Sequence, residues 1–168
     1  EFPLGDRFHY AGIRFLPTMF SQLFRIDASS FTNEQVALSD VDKDLSDLIA
    51  DKLNGRSGMA EISATLDQYF ETRLRKSMVN DDRRLYRALG LILQSNGSLN
   101  IESALDTGIS SRQLRRMFGY YIGSSAKVFS RVVRFQHFLQ TRDFIDAGYY
   151  DQAHFIKEFK TLFGSTPS

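Results

Sequence analysis

Apolar residues recur at helical spacing along most of the chain, and a polar or glycine-marked break follows each run. Leu45, Leu48, Ile49 and Leu53 stand at i, i+3, i+4 and i+8 and predict a helix over 40–53, stopped by Asn54-Gly55. Ser57-Gly58 opens a second helix with Ile62, Leu66, Tyr69-Phe70 and Leu74 on one face. Arg73, Arg75 and Lys76 fall in its last turn, where the helix dipole favours cations. After the polar break Val79-Asn80-Asp81-Asp82 the pattern is all helical: 84–94, a short helix 101–107 ended by Gly108, then 110–121, 125–139 and 151–163, the last closed by Gly164 with Pro167 beyond. The N-terminal stretch reads differently. Residues 8–15 alternate well enough to predict a strand bent at Gly12, and Val36-Ala37-Leu38 predicts a second, short one. Between them Pro17 opens a helix that carries Met19, Phe20, Leu23 and Phe24. The expected fold is therefore mainly α, with a small α+β part at the N-terminus.

Charge refines this division. The whole chain is nearly neutral at +1. From Met78 onward there are 12 Lys and Arg against 8 Asp and Glu, a balance of +4, whereas the preceding part has 9 against 12, a balance of −3. An acidic N-terminal part joined to a basic C-terminal part suits a polyanionic partner for the latter. The length of 168 residues fits one or two small domains. Cysteine is absent, which excludes disulfides, thiolate nucleophiles and thiolate zinc sites and suits a reducing, cytoplasmic setting. His9, His137 and His154 are far apart in sequence, so neither a metal nor another cofactor is expected. No run approaches the ~20 apolar residues that span a bilayer. The chain begins Glu1-Phe2-Pro3, without Met or a leader pattern, and reads as lacking upstream residues.

One segment in the basic part carries specific chemistry. Gly108-Ile109-Ser110 joins the short helix to Ser111-Arg112-Gln113-Leu114-Arg115-Arg116-Met117-Phe118. This is the layout of a helix-turn-helix. Gly108 suits a positive-φ turn, Ile109 plugs the space between the helices, and Ser110 caps the second helix. Leu114 and Phe118 form the inward stripe, so Ser111, Arg112, Arg115 and Arg116 face outward. Such a helix fits the major groove, where Arg presents paired donors to guanine. The same arginines on phosphates would position without specifying, and an ordinary solvated helix would carry them too. The layout then recurs: Gly148, Tyr149-Tyr150, Asp151 as cap, with Phe155 and Phe159 in the places of Leu114 and Phe118, and Gln152, His154 and Lys157 outward. Two matches to one uncommon layout favour DNA binding.

These pieces, with Phe163-Gly164-Ser165-Thr166-Pro167-Ser168, resemble the DNA-binding domain of AraC-type transcriptional regulators. The resemblance implies two helix-turn-helix subdomains joined by a long helix, their recognition helices entering successive major grooves. It implies that Arg112, Arg115 and Arg116 serve the first groove, and Gln152, Ala153, His154, Ile156 and Lys157 the second. The implied domains are 1–39, the end of a sensor domain; 40–82, a helical linker whose apolar stripes pack within the chain; and 83–168, the DNA-binding domain, with its units near 100–121 and 143–163 and the connecting helix near 125–139. One departure stands out: Gln136 lies only 12 residues before Gly148, short for a full helix ahead of the second turn. The expected reason is a loop near 139–143 missing from the sequence.

The expected function is a sequence-specific DNA-binding transcription regulator under an upstream sensor domain. Its expected partners are double-stranded DNA, RNA polymerase and a small-molecule effector at the upstream domain, with no membrane. The alternative is an interaction module of the same fold that has lost specific DNA binding. An enzyme is not expected. The methyl-acceptor repair proteins that carry an AraC-type module need a Cys acceptor, and no nucleophile-base constellation surrounds the three histidines.

Overall fold

The computed structural model describes residues 12–55, 57–77, 82–101 and 108–164. Eight α-helices are present among them: α1 Met19–Phe24, α2 Leu38–Val41, α3 Lys43–Asn54, α4 Met59–Lys76, α5 Arg83–Gln94, α6 Ser111–Ile122, α7 Ala126–Thr141 and α8 Gln152–Phe163, with a 3-10 turn at Ala28–Phe31. The helix expected over 101–107 lies, beyond Ile101, outside the described residues. No strand is found among them, so the described portion of the N-terminal part is helical where a strand was also expected. Residues 12–16 form no ladder, and the rest of the strand expected at 8–15 lies outside the described residues. Val36 is exposed and Leu38 begins α2. The run Val36-Ala37-Leu38 is too short for its period to separate strand from helix entry. Among the described residues no helix is long and apolar enough to cross a membrane.

Three apolar clusters organise the chain. The first joins Leu23 and Phe24 of α1 to Leu45 of α3, with Phe15, Phe20, Ile49, Leu66, Tyr69 and Phe70 packed around them. The end of 1–39 and the helices of 40–82 therefore share one core, which takes Leu45 and Ile49 of α3 and Leu66, Tyr69 and Phe70 of α4 but leaves Leu53 and Leu74 exposed. A polar knot ties this unit together. Asp42 caps α3 through Leu45 N–H (2.9 Å), accepts from the Tyr69 hydroxyl (2.7 Å) and pairs with Arg73, whose Nε donates to the Leu23 carbonyl (2.9 Å). Burial works to raise the Asp42 carboxyl, but the Leu45 N–H, the Tyr69 hydroxyl and Arg73 outweigh it and hold it below the usual value.

The second cluster gathers Leu85, Ala88, Leu89 and Ile92 of α5, Met117 and Phe118 of α6 and Ala126 of α7. The third gathers Phe135 and Phe138 of α7, Ala147 and Tyr149 of the turn that follows, and Phe155 of α8. Helix α7 thus feeds both: its first turns pack on the second cluster and its last turns on the third.

The N-terminal unit meets the second cluster through α1 and the 3-10 turn. Ser21 Oγ donates to the Tyr120 carbonyl (2.9 Å), Gln22 Nε2 to the Tyr86 hydroxyl (2.8 Å) and Thr32 Oγ1 to the Gly123 carbonyl (2.6 Å). Ser21 and Gln22 are buried, so α1 is enclosed on its polar side as well as its apolar one. Beside these bonds an open cleft of about 650 Å³ separates Phe15, Leu16 and Phe20 from Ile122, Phe129 and Val133.

Candidate nucleic-acid interface

The first candidate reader is α6. Its N-cap Ser110 is extended and its hydroxyl accepts from Gln113 N–H at 3.2 Å. Gly108 has φ +71°, the conformation expected of the turn. Ile109 and Leu114 pack against the second cluster, and Phe118 is fully buried within it. With that stripe fixed inward, Ser111, Arg112, Arg115 and Arg116 lie exposed on the opposite side. Among the described residues no carboxylate lies within ion-pair distance of any of the three guanidinium groups. Gly123 closes the helix at φ +82°.

The second is α8. Asp151 caps it through a 2.7 Å bond from His154 N–H. Phe155 is buried, Phe159 half-buried, and Gln152, Ala153 and Lys157 are exposed. One of the residues expected to face outward stands otherwise. Ile156 is half-buried against the aromatic cluster and gives α8 packing rather than an outward contact. His154 is exposed, and its ring contacts its own helix: Nδ1 accepts from Tyr150 N–H (3.4 Å), and Nε2 faces Glu158 at 3.8 Å.

Ahead of α8 the chain makes a single turn over 144–148. The Asp143 side chain accepts from Ile145 N–H (2.8 Å) and Asp146 N–H (3.1 Å). Gly148 N–H reaches the Ile145 carbonyl (2.9 Å) and Tyr149 N–H the Phe144 carbonyl (2.8 Å), closing the turn with Gly148 at φ +76°. The connecting helix keeps its length and runs two residues past its expected end, to Thr141, where Arg142 turns the chain at φ +57°.

Sequence reasoning passed over Glu158. It is 4% exposed, its Oε1 accepts from Arg131 Nε at 2.8 Å, and Arg134 lies 3.7 Å away. The signal was present: Glu158 stands three residues after Phe155 and beside Phe159, on the buried stripe rather than the solvated face. Tyr149 sits under the Arg134 guanidinium (5.6 Å to its ring centre), and burial, with the Glu158 charge, pushes its hydroxyl up to about 12. Between the units lies a cleft of about 430 Å³, lined by Asn100 and Ile101 on one side and by His154 and Lys157 on the other. Among the described residues no group of three or more metal-ligating side chains is assembled.

The arrangement offers two short helices, each with its apolar face sunk in a separate cluster, joined by one helix that belongs to both. Arg112, Arg115, Arg116 and Lys157 are exposed, with no carboxylate within ion-pair distance among the described residues, whereas Arg131 and Arg134 of the connecting helix are paired with Glu158. Comparison with known proteins finds no family model, no characterised protein and no solved structure that matches this chain.

Proposed function

We propose that this chain is a sequence-specific DNA-binding transcription regulator of the AraC type, with α6 and α8 as its two readers. The observation that carries the reading is the exposed trio Arg112, Arg115 and Arg116, unneutralised among the described residues, on a helix locked by Leu114 and Phe118. Exposed guanidinium groups on a short capped helix match the paired acceptors of guanine in the major groove. In α8, Gln152 and Lys157 are the outward donors, with Ala153 between them in sequence to meet a thymine methyl. In this proposal the protein works in the cytoplasm, recruits or blocks RNA polymerase, and answers a small-molecule effector bound upstream of the residues described.

The test is selection from a randomised duplex pool followed by substitution. Arg112→Ala and Arg116→Ala should each weaken the selected site by about 1–3 kcal/mol and relax one base position. Binding should fall steeply with salt. Recovery of no preferred sequence, together with a flat salt response, would overturn the reading. One observation favours a second reading, an interaction module: Ile145 (83% exposed) and Tyr150 (92% exposed) place bare apolar surface on the second unit. That reading gains if Tyr150→Ser abolishes partner capture and leaves DNA affinity unchanged.

A further inference from the structure

We infer that Glu158 is a positioning residue that fixes the rotation of α8 on α7, and with it the base-pair spacing at which both readers engage one duplex; this rests on the DNA-binding reading above. The packing around α8 is aromatic: Phe155 lies 4.5 Å from Phe138, 4.9 Å from Phe144 and 5.3 Å from Tyr149, measured between ring centres. Burial of these rings is non-directional, and both stacked and edge-on pairs occur around Phe155, so no single ring geometry sets the rotation. The usual support for rotation, a full helix packed ahead of the reader, is here one turn, 144–148. What remains is directional. Arg131 and Arg134 stand three residues apart on α7 and converge on one carboxylate at the middle of α8. A charge-assisted bond of 2.8 Å onto a buried oxygen is satisfied at only one rotation. The same α7 segment also carries the first unit, since Ser130 Oγ donates to the Gly97 carbonyl at 2.8 Å. Residues 130, 131 and 134 therefore index both units to one stretch of helix. A buried ion pair adds little to stability compared with apolar packing, and its value is to select one arrangement.

The experiment separates aim from stability. Duplexes recovered from a randomised pool by the full wild-type chain are rebuilt with the two half-sites moved apart or together by single base pairs. Affinity is measured for wild type, Glu158→Gln and Glu158→Met. Wild type should show one preferred spacing. Both variants should lose about tenfold at that spacing, flatten the spacing profile, and bind a duplex carrying only the α6 half-site as wild type does. Glu158→Met should melt below wild type, because it leaves Arg131 and Arg134 without their acceptor, whereas the triple variant Arg131→Met/Arg134→Met/Glu158→Met should recover the melting temperature without recovering the spacing preference. Unchanged spacing preference in both variants overturns the inference. So does unfolding of α8 in both, which would make Glu158 a stability residue. Failure of the wild-type chain to recover any duplex strikes the DNA-binding reading itself and takes this inference with it.

Discussion

The two candidate readers share a local design and differ in what holds them. Each begins at an oxygen-bearing cap, follows a positive-φ glycine and buries two apolar residues four apart. Reader α6 is held by its own cluster and, at its C-terminal end, by the upstream unit. The Tyr120 and Gly123 carbonyls, which no helix N–H satisfies, accept from Ser21 and Thr32. Reader α8 takes its ion pairs from α7 and packs into an aromatic cluster made of the second unit and the end of α7. The same motif can therefore be aimed from outside or from within. In the first case its orientation depends on the state of the preceding unit; in the second it depends on one helix.

The largest effect that separates them is the loss of one core at a time. Phe118→Ala should cost about 3–5 kcal/mol, since the ring is fully buried. Ile109→Asp and Phe155→Asp should each unfold one unit, because a buried unpaired charge is expensive. Amide exchange should show α6 exposed in the first two variants with α8 still protected, and the reverse in the third. Simultaneous loss of both helices in every case would erase the distinction between the units.

Next comes the outside support. Ser21→Ala removes a buried hydroxyl bonded to the Tyr120 carbonyl and should cost about 1–3 kcal/mol. Binding to an α6 half-site should weaken and binding to an α8 half-site should not. Acid provides a second route to the same support. Asp42 has a lowered value when folded, so the stability it contributes is full above its unfolded value of 3.8 and is lost as pH falls through the folded one. Acid melts of wild type and Asp42→Asn should converge at low pH; a gap that persists there would remove Asp42 as the cause.

Glycine substitution sharpens the contrast at smaller cost. Gly108→Ala and Gly148→Ala both force a left-handed alanine, worth about 1–2 kcal/mol. At Gly108 a new Cβ meets nothing within 4 Å, whereas at Gly148 it meets the Ser98 Cβ at 3.1 Å. Gly148→Ala should thus be the more damaging of the two, and equal melting temperatures would show that the contact yields freely.

Most of this design was legible because caps, turn glycines and i, i+4 stripes are local. Ser110, Asp151, Gly108 and Gly148 each do what their residue type dictates, and the ends of α5, α7 and α8 fall within two residues of expectation. The non-local features were hidden. Helix α1 shows an apolar stripe at Met19, Phe20, Leu23 and Phe24, yet Ser21 and Gln22 are as deeply buried, because the helix lies between its own unit and α6. Glu158 sits on a buried stripe and is explicable only once Arg131 and Arg134 are known to face it. His154 is outward by spacing and exposed in the structure, but spacing does not show that its ring accepts from the Tyr150 N–H. Periodicity reports which face is apolar; it does not report which polar residues a neighbouring element will enclose.

The smallest effect tests the inside support. The Tyr149 hydroxyl is buried and has no hydrogen-bond partner among the described residues, while the ring packs edge-on against Phe138 and Phe155. Tyr149→Phe keeps those ring contacts and removes an unsatisfied oxygen, so at neutral pH stability should change by less than about 1 kcal/mol, toward stabilisation if at all. Alkali should separate the two chains. The phenol stands at about 12 when folded, against an ordinary value of 10.0, so its neutral form is the one the fold requires. Its contribution is intact below 10 and is lost as pH rises through 12, over which range wild type should lose stability faster than Tyr149→Phe. Tyr69 rises to about 12 for the same reason, burial, and is common to both chains, so it cancels in the difference. Parallel alkaline melts would mean that water reaches the Tyr149 hydroxyl, and that the second unit is more open at its turn than the first is at its arginine helix.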